Sequence, residues 1–291
     1  MSQHPAIQHP SVQSGRVAVI TGGASGIGLA AAKRFAGFGM NLVLVDLEAD
    51  AVHAASREIA DSVGSALVIR DVAGDVTRIE TLAQARVAAA EIGDVAILMN
   101  NAGVGGGGNA IEHPDRWRLV LETNLFGVIN GCQAFGQQMA SAGIPAAIIN
   151  TGSKQGITAP PGDTAYNVSK AAIKTLTEGL QHTLRNIAGC QVSAHLLVPG
   201  STFTGMTRRR LTEKPPGAWS AEQVADFMLE RMAAGDFYIL CPDNEVTRAM
   251  DNARMTWAMQ DLTLNRPPLS RWHPDYAHAF AEFLAKETGG G

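Results

Sequence analysis

Short apolar runs recur along the chain at 17–20, 42–45, 66–69, 95–99, 146–149, 192–198 and 237–240. Most lack strict polar alternation and are rich in Val, Ile and Leu, the pattern of strands covered by helices on both faces, and such strands are usually parallel. Between them lie Ala-rich segments with helical spacing at 27–38, 51–61, 77–91, 116–140 and 165–188, each able to serve as a crossover. Alternating strands and right-handed crossovers predict the α/β class: a single doubly wound Rossmann fold, with a seven-stranded, mainly parallel sheet, helices on both faces and the ligand at the carboxyl ends of the strands. After the seventh run the pattern changes. Trp257, Trp272, Tyr276 and Phe280, with a Pro267-Pro268 turn, predict one or two helices, too short a stretch for a second core. Three regions are therefore expected: a loose tail over 1–14, rich in His, Pro, Gln and Ser; the Rossmann domain over 15–241; and a helical extension over 242–291 packed on that domain.

Composition narrows the function classes. With 23 Lys and Arg against 27 Asp and Glu, and no basic stripe, nucleic acid is not an expected partner. The one dense basic cluster, Arg208 to Arg210 followed by Lys214, reads as a solvated helix face; an Arg turned into the cleft would instead point to an acidic substrate. No apolar stretch has the length of a membrane span, and the first fourteen residues lack the core of a secretory signal. Cys132, Cys190 and Cys241 have no ligand or redox spacing and read as packing residues, which fits a reducing cytoplasm. The eight His are dispersed without paired-ligand spacing, so no metal is expected.

The chemistry-bearing positions fall just after the predicted strands. Thr21-Gly22-Gly23-Ala24-Ser25-Gly26-Ile27-Gly28 joins the first strand to a helix. Gly22 and Gly26 let the backbone approach a pyrophosphate, and the helix amino terminus offers unpaired N–H groups and partial positive charge. The second strand ends at Asp46, eighteen residues beyond Gly28, where a carboxylate accepts from both adenosine ribose hydroxyls and repels a 2′-phosphate. Neither Ser25 nor Leu47 and Glu48 supplies the cation that would offset this, so NAD is expected over NADP.

The three-residue spacing between Gly22 and Gly26 resembles the short-chain dehydrogenase/reductase family, and other motifs over 16–240 share the resemblance. It implies that Asn101, Ala102 and Gly103, after the fourth strand, line the adenosine. It implies that Asp75-Val76 contacts adenine, with Asp71-Val72 a rival pair. Pro199-Gly200, Thr202 and Thr204 follow the sixth strand, where relatives hold the nicotinamide carboxamide.

Moving a hydride between an alcohol carbon and nicotinamide requires a group that moves the hydroxyl proton. Tyr166 and Lys170, four apart in a helical segment, share a face, and an adjacent ammonium favours the phenolate, which predicts a lowered Tyr166 pKa. Lys170 can also hold the nicotinamide ribose. Ser153, thirteen residues before Tyr166, can donate to the carbonyl or alkoxide oxygen. From the resemblance, Asn124 would break its helix locally and hold a water that relays protons to Lys170. The expected activity is NAD-dependent oxidoreduction of a small secondary alcohol or ketone, apolar or aromatic; the alternative is a silent NAD-binding sensor or scaffold. Substrate loops are expected at 104–112, 154–164 and 201–220. Within the first, the run Gly105 to Gly108 reads as a flexible linker or as room for a bulky ring. The resemblance further implies a homodimer or homotetramer built through 116–140 and 165–188, with the extension favouring the dimer.

Overall fold

A computed structural model describes residues 8–63, 67–205 and 213–289. Its main sheet holds strands β1 (Val17–Thr21), β2 (Asn41–Asp46), β3 (Ile69–Ala73), β4 (Val95–Asn100), β5 (Ala146–Thr151), β6 (Val192–Val198) and β9 (Tyr238–Leu240), in the order β3-β2-β1-β4-β5-β6-β9, with every neighbouring pair parallel. The order reverses between β1 and β4, which opens a crevice at the carboxyl ends of those strands.

Alternate residues of each strand feed opposite cores. Ala18 and Ile20 of β1 face helices α1 (Gly26–Gly37), α2 (Ala49–Val63) and α8 (Ala221–Ala233), meeting Phe35, Ile59 and Met228. Val17 and Val19 face α3 (Ile79–Ala90), α5 (Gly127–Ser141) and α7 (Thr164–Arg185), meeting Leu82, Phe135 and Leu184. Burial on both faces is why these strands read as continuous apolar runs.

The structure departs from the expected elements in four places. The third strand runs over Ile69–Ala73 rather than 66–69, of which residue 66 lies outside the described residues. It is an edge strand carrying Arg70 and Asp71 among its apolar residues, so periodicity alone ends it too early. The single helix expected over 116–140 is divided into α4 (Pro114–Leu121), a π-helical turn over Glu122–Phe126, and α5. A small parallel pair, β7 (Thr202–Phe203) with β8 (Trp219–Ser220), brackets the third of the expected substrate loops. The Arg208 to Arg210 cluster lies outside the described residues. Finally, part of the expected loose tail packs on the domain: Ser11 and Val12 are buried, and the His9 ring meets His195 edge-on at 5.3 Å.

The extension comprises α9 (Arg248–Thr263), two 3-10 turns, and α10 (Ala277–Glu287). Trp257 is its centre, ringed by Phe280, Phe283 and the Arg266 guanidinium at 3.9 Å, with its indole N–H donating to Ser270 Oγ at 2.8 Å. Met255 packs beside Ile157, of the short helix α6 (Gln155–Thr158), and Leu240. No described helix is long and apolar enough to cross a membrane.

Candidate active site

The glycine turn after β1 is shaped by close approach. Gly22 (φ 65°) and Gly26 (φ 53°) take left-handed conformations that favour glycine. A Cβ on Gly22 would lie 2.9 Å from Ala102 Cα, one on Gly26 would lie 3.2 Å from Thr204 Cβ, and one on Gly28 would overlap the Gly22 carbonyl. The turn thus lies between Ala102 and Thr204, two residues that the sequence places far from it. Ser25 is the N-cap of α1 in extended conformation with no side-chain cap, and Ile27 leans on the core.

Asp46, at the end of β2, accepts from Ala24 N (3.0 Å) and Leu47 N (2.8 Å), so its carboxylate is fixed beside the turn; Leu47 is largely exposed. Asn101 donates from Nδ2 to Thr21 O and Gly22 O, both at 3.3 Å, and accepts from Thr151 Oγ1 at 3.3 Å, tying the turn to β5. Of the rival acids, Asp71 is engaged by His53 Nδ1 (2.5 Å) and Ser56 Oγ of α2. Asp75 accepts, among the described residues, only from Thr77 N (2.9 Å), and the neighbouring Val76 carbonyl is held by Asn130 Nδ2 at 3.0 Å.

Across the crevice, Asp163 caps α7 and sets Tyr166 in its first turn. One turn later, Lys170 is buried with Nζ 5.6 Å from the centre of the Tyr166 ring, donating to Thr151 O at 2.8 Å. Ser153 Oγ accepts from Gln155 N at 3.2 Å. Burial pushes the Tyr166 phenol above its ordinary value; nearby Ser153 offsets this in part and the Asp163 charge adds to it. The expected lowering by Lys170 is therefore overturned: desolvation dominates, and Lys170 is not among the groups that shift the phenol. Lys170 itself is lowered by burial to about 8.

Asn124 sits in the π turn, wholly buried. Its Oδ1 accepts from Val104 N (2.7 Å), and Nδ2 donates to Val104 O (2.9 Å) and Ser169 Oγ (3.0 Å). Gly103 lies between it and Lys170: a Cβ there would be 3.2 Å from Asn124 Oδ1 and 3.7 Å from Lys170 Nζ. Pro199 O accepts from Lys154 N (3.2 Å), Gly200 O from Thr202 Oγ1 (3.2 Å), and Thr204 faces Gly26.

The run Gly105 to Gly108 is no flexible linker. Asp163, Arg116 and Thr164 all hydrogen-bond to its backbone. Sequence reasoning missed Asp163, although an Asp two residues ahead of a helical pattern is a capping signal. It also missed Lys154 and Asp251, whose Nζ and Oδ2 lie 2.6 Å apart, a contact between distant segments with no local signature. Burial pushes the Cys132 thiol up to about 11 and Cys241 up to about 12, so neither is a ready nucleophile.

Residues 16–215 match the family model for short chain dehydrogenase. The chain is 32% identical to 1-deoxy-11-beta-hydroxypentalenate dehydrogenase of Streptomyces exfoliatus, over 88% of this chain and 94% of that one. It is 37% identical to galactitol 2-dehydrogenase (L-tagatose-forming) of Cereibacter sphaeroides, over 69% and 76%. Among solved structures it resembles a short chain dehydrogenase/reductase from Burkholderia phymatum in complex with NAD (TM-score 0.77, 33% identity, 88% and 96% covered). It also resembles a metagenomic short-chain oxidoreductase in complex with NADP (TM-score 0.65, 27% identity, 79% and 98% covered).

Proposed function

The chain belongs to the short-chain dehydrogenase family, oxidoreductases acting on CH–OH groups, and from that premise we propose an NAD-dependent dehydrogenase or reductase of a small secondary alcohol and its ketone, with Tyr166 as the proton-transfer group. The observation that carries this reading is the convergence of Tyr166, Ser153 and Lys170 at the carboxyl end of β5.

The residues present suit a dinucleotide. Side chains at Gly22, Gly26 or Gly28 would fill the turn, which leaves backbone N–H groups at the start of α1 free to meet a pyrophosphate. Asp46 would take the adenosine ribose, Asp75 and Val76 the adenine, and Asn101, Ala102 and Gly103 the adenosine side of the crevice. Pro199, Gly200, Thr202 and Thr204 would hold the carboxamide and Lys170 the nicotinamide ribose. Bound there, the nicotinamide supplies the hydride acceptor or donor. Support for NAD over NADP comes from the Asp46 carboxylate, fixed beside the turn with no cation at Ser25, Leu47 or Glu48, and from the NAD held by the 33% identical structure.

In oxidation the Tyr166 phenolate takes the proton of the substrate hydroxyl; in reduction the phenol returns it. Ser153 donates to the substrate oxygen and stabilises its developing charge. Lys170 places a buried cation behind the phenolate, and Asn124 keeps the Val104 backbone and Ser169 in register with it. Leu119, Phe126 and Val168 expose apolar side chains on α4, the π turn and α7, segments through which a homodimer would be built.

The test is nicotinamide absorbance across a panel of apolar, aromatic and acidic secondary alcohols, with NAD or NADP, for the wild type and Tyr166→Phe. NAD-selective turnover that collapses in the variant is expected. Tight NAD binding with no variant-sensitive turnover would instead mark a silent binding protein.

A further inference from the structure

An N-cap needs one side-chain oxygen and one backbone N–H. The Asp163 carboxylate accepts three. Oδ1 takes Tyr166 N at 3.3 Å and Gly107 N at 3.1 Å, while Oδ2 takes Gly106 N at 2.7 Å. The last two bonds reach the loop that leaves β4, more than fifty positions away in sequence. The same loop is gripped from its other side by Arg116, whose Nε donates to Gly106 O (3.1 Å) and Nη2 to Gly105 O (2.9 Å). Thr164 N donates to Gly108 O at 2.9 Å. A Cβ on Gly107 would collide with that of Ala165, so the loop lies flat on the first turn of α7. Upstream, Val104 is fixed by Asn124. The loop and Tyr166 are thus referenced to one side chain, at the end of the sheet where ligands bind.

We propose that Asp163 is a positioning residue for the reaction assigned above: its carboxylate latches the loop Gly105 to Gly108 onto the Tyr166 helix and so fixes one wall of the substrate cleft against the proton-transfer group. The inference rests on the reading of Tyr166 as that group. A plain cap would not use both oxygens. An amide in its place presents one acceptor and turns its NH2 toward a backbone N–H, so the double grip on the loop calls for a carboxylate.

The test compares Asp163→Ser, which keeps a capping oxygen but is too short to reach the loop, with Asp163→Asn and Tyr166→Phe. Melting temperature, amide exchange at Gly106 and Gly107, and kcat and KM with the best secondary alcohol of the panel are measured. Losing two charge-assisted bonds should speed loop exchange and lower kcat/KM in the Ser variant by about tenfold or more each, with little change in melting temperature. The Asn variant should recover part of both. Wild-type exchange and wild-type kcat/KM in Asp163→Ser, beside an inactive Tyr166→Phe, would reduce Asp163 to a cap and overturn the inference alone. Turnover surviving Tyr166→Phe would bring down the functional reading first and this inference with it. The exchange measurement needs no substrate and decides the latch by itself.

Discussion

Lys154 Nζ lies 2.6 Å from Asp251 Oδ2, so the residue directly after Ser153 is tied to a helix of the C-terminal extension. Asp243 Oδ2 stands 3.5 Å from the same ammonium. Neither Lys154 Nζ nor Asp251 Oδ2 makes a well-directed hydrogen bond, so the attraction is one of charge between largely buried groups. Asp251→Ala strands a buried ammonium on its weaker partner and should cost about 3 kcal/mol in denaturant unfolding. Lys154→Met with Asp251→Leu should recover most of that; a double variant as unstable as the single one would show that the ion pair is not the cause.

Burial acts in opposite directions on two groups of α7, raising the Tyr166 phenol and lowering Lys170 to about 8. Oxidation consumes the phenolate, so kcat/KM for the alcohol should climb with pH as the phenol ionises. Reduction consumes the phenol proton and should fall over the same range. Profiles in both directions from about pH 7 to 11, past the ordinary phenol value of about 10, check this. Lys170→Arg, which keeps its cation throughout, should remove any inflection near 8 while leaving the Tyr166 limb; parallel slopes in the two directions would contradict the assignment.

Asp46→Ser with Leu47→Arg removes the carboxylate proposed to face the ribose and adds a guanidinium able to meet a 2′-phosphate. The ratio of the NAD and NADP Kd values, from fluorescence titration, should move toward NADP by about a hundredfold. An unmoved ratio would place the discriminating charge elsewhere.

The amino-terminal segment should make stability sensitive to acid. His9 is lowered to about 4, first by burial and then by His195, and its ring donates to or accepts from Ser11 Oγ at 2.6 Å. The folded state therefore disfavours protonated His9, while the unfolded chain protonates near 6.5. Stability is full above 6.5 and is lost as pH falls from there toward 4. His9→Gln should flatten that part of the melting-temperature profile, and an unchanged slope would assign it to another group.

Most of the sheet was legible because buried parallel strands announce themselves as apolar runs, and the glycine turn and the Tyr166/Lys170 pair because each is a local spacing. β3 was misplaced because an edge strand mixes polar and apolar positions. The rise of the Tyr166 phenol is not legible in the sequence, where a neighbouring cation is visible but the desolvation that dominates the shift, a property of the folded interior, is not. Asp163 illustrates a middle case: its capping role is local and readable, but its grip on Gly106 and Gly107 exists only once two distant segments meet. The glycine run looked slack for the same reason, since what holds it lies outside it.

The π turn over Glu122–Phe126 has a consequence for the phase of the helix around it. A π turn carries one residue more than α geometry would, and one residue is worth about 100° of rotation. The apolar stripe that begins at Val120 therefore continues at Val128 and Phe135 on a face rotated from the one straight propagation would give. Interchanging this helix with an uninterrupted one of equal length would put the downstream half out of step with the sheet. Shortening it by one residue would restore unbroken α geometry while withdrawing the Asn124 amide from Val104. In a chimera or a redesigned scaffold, Pro114 to Ser141 has to be exchanged as a single piece.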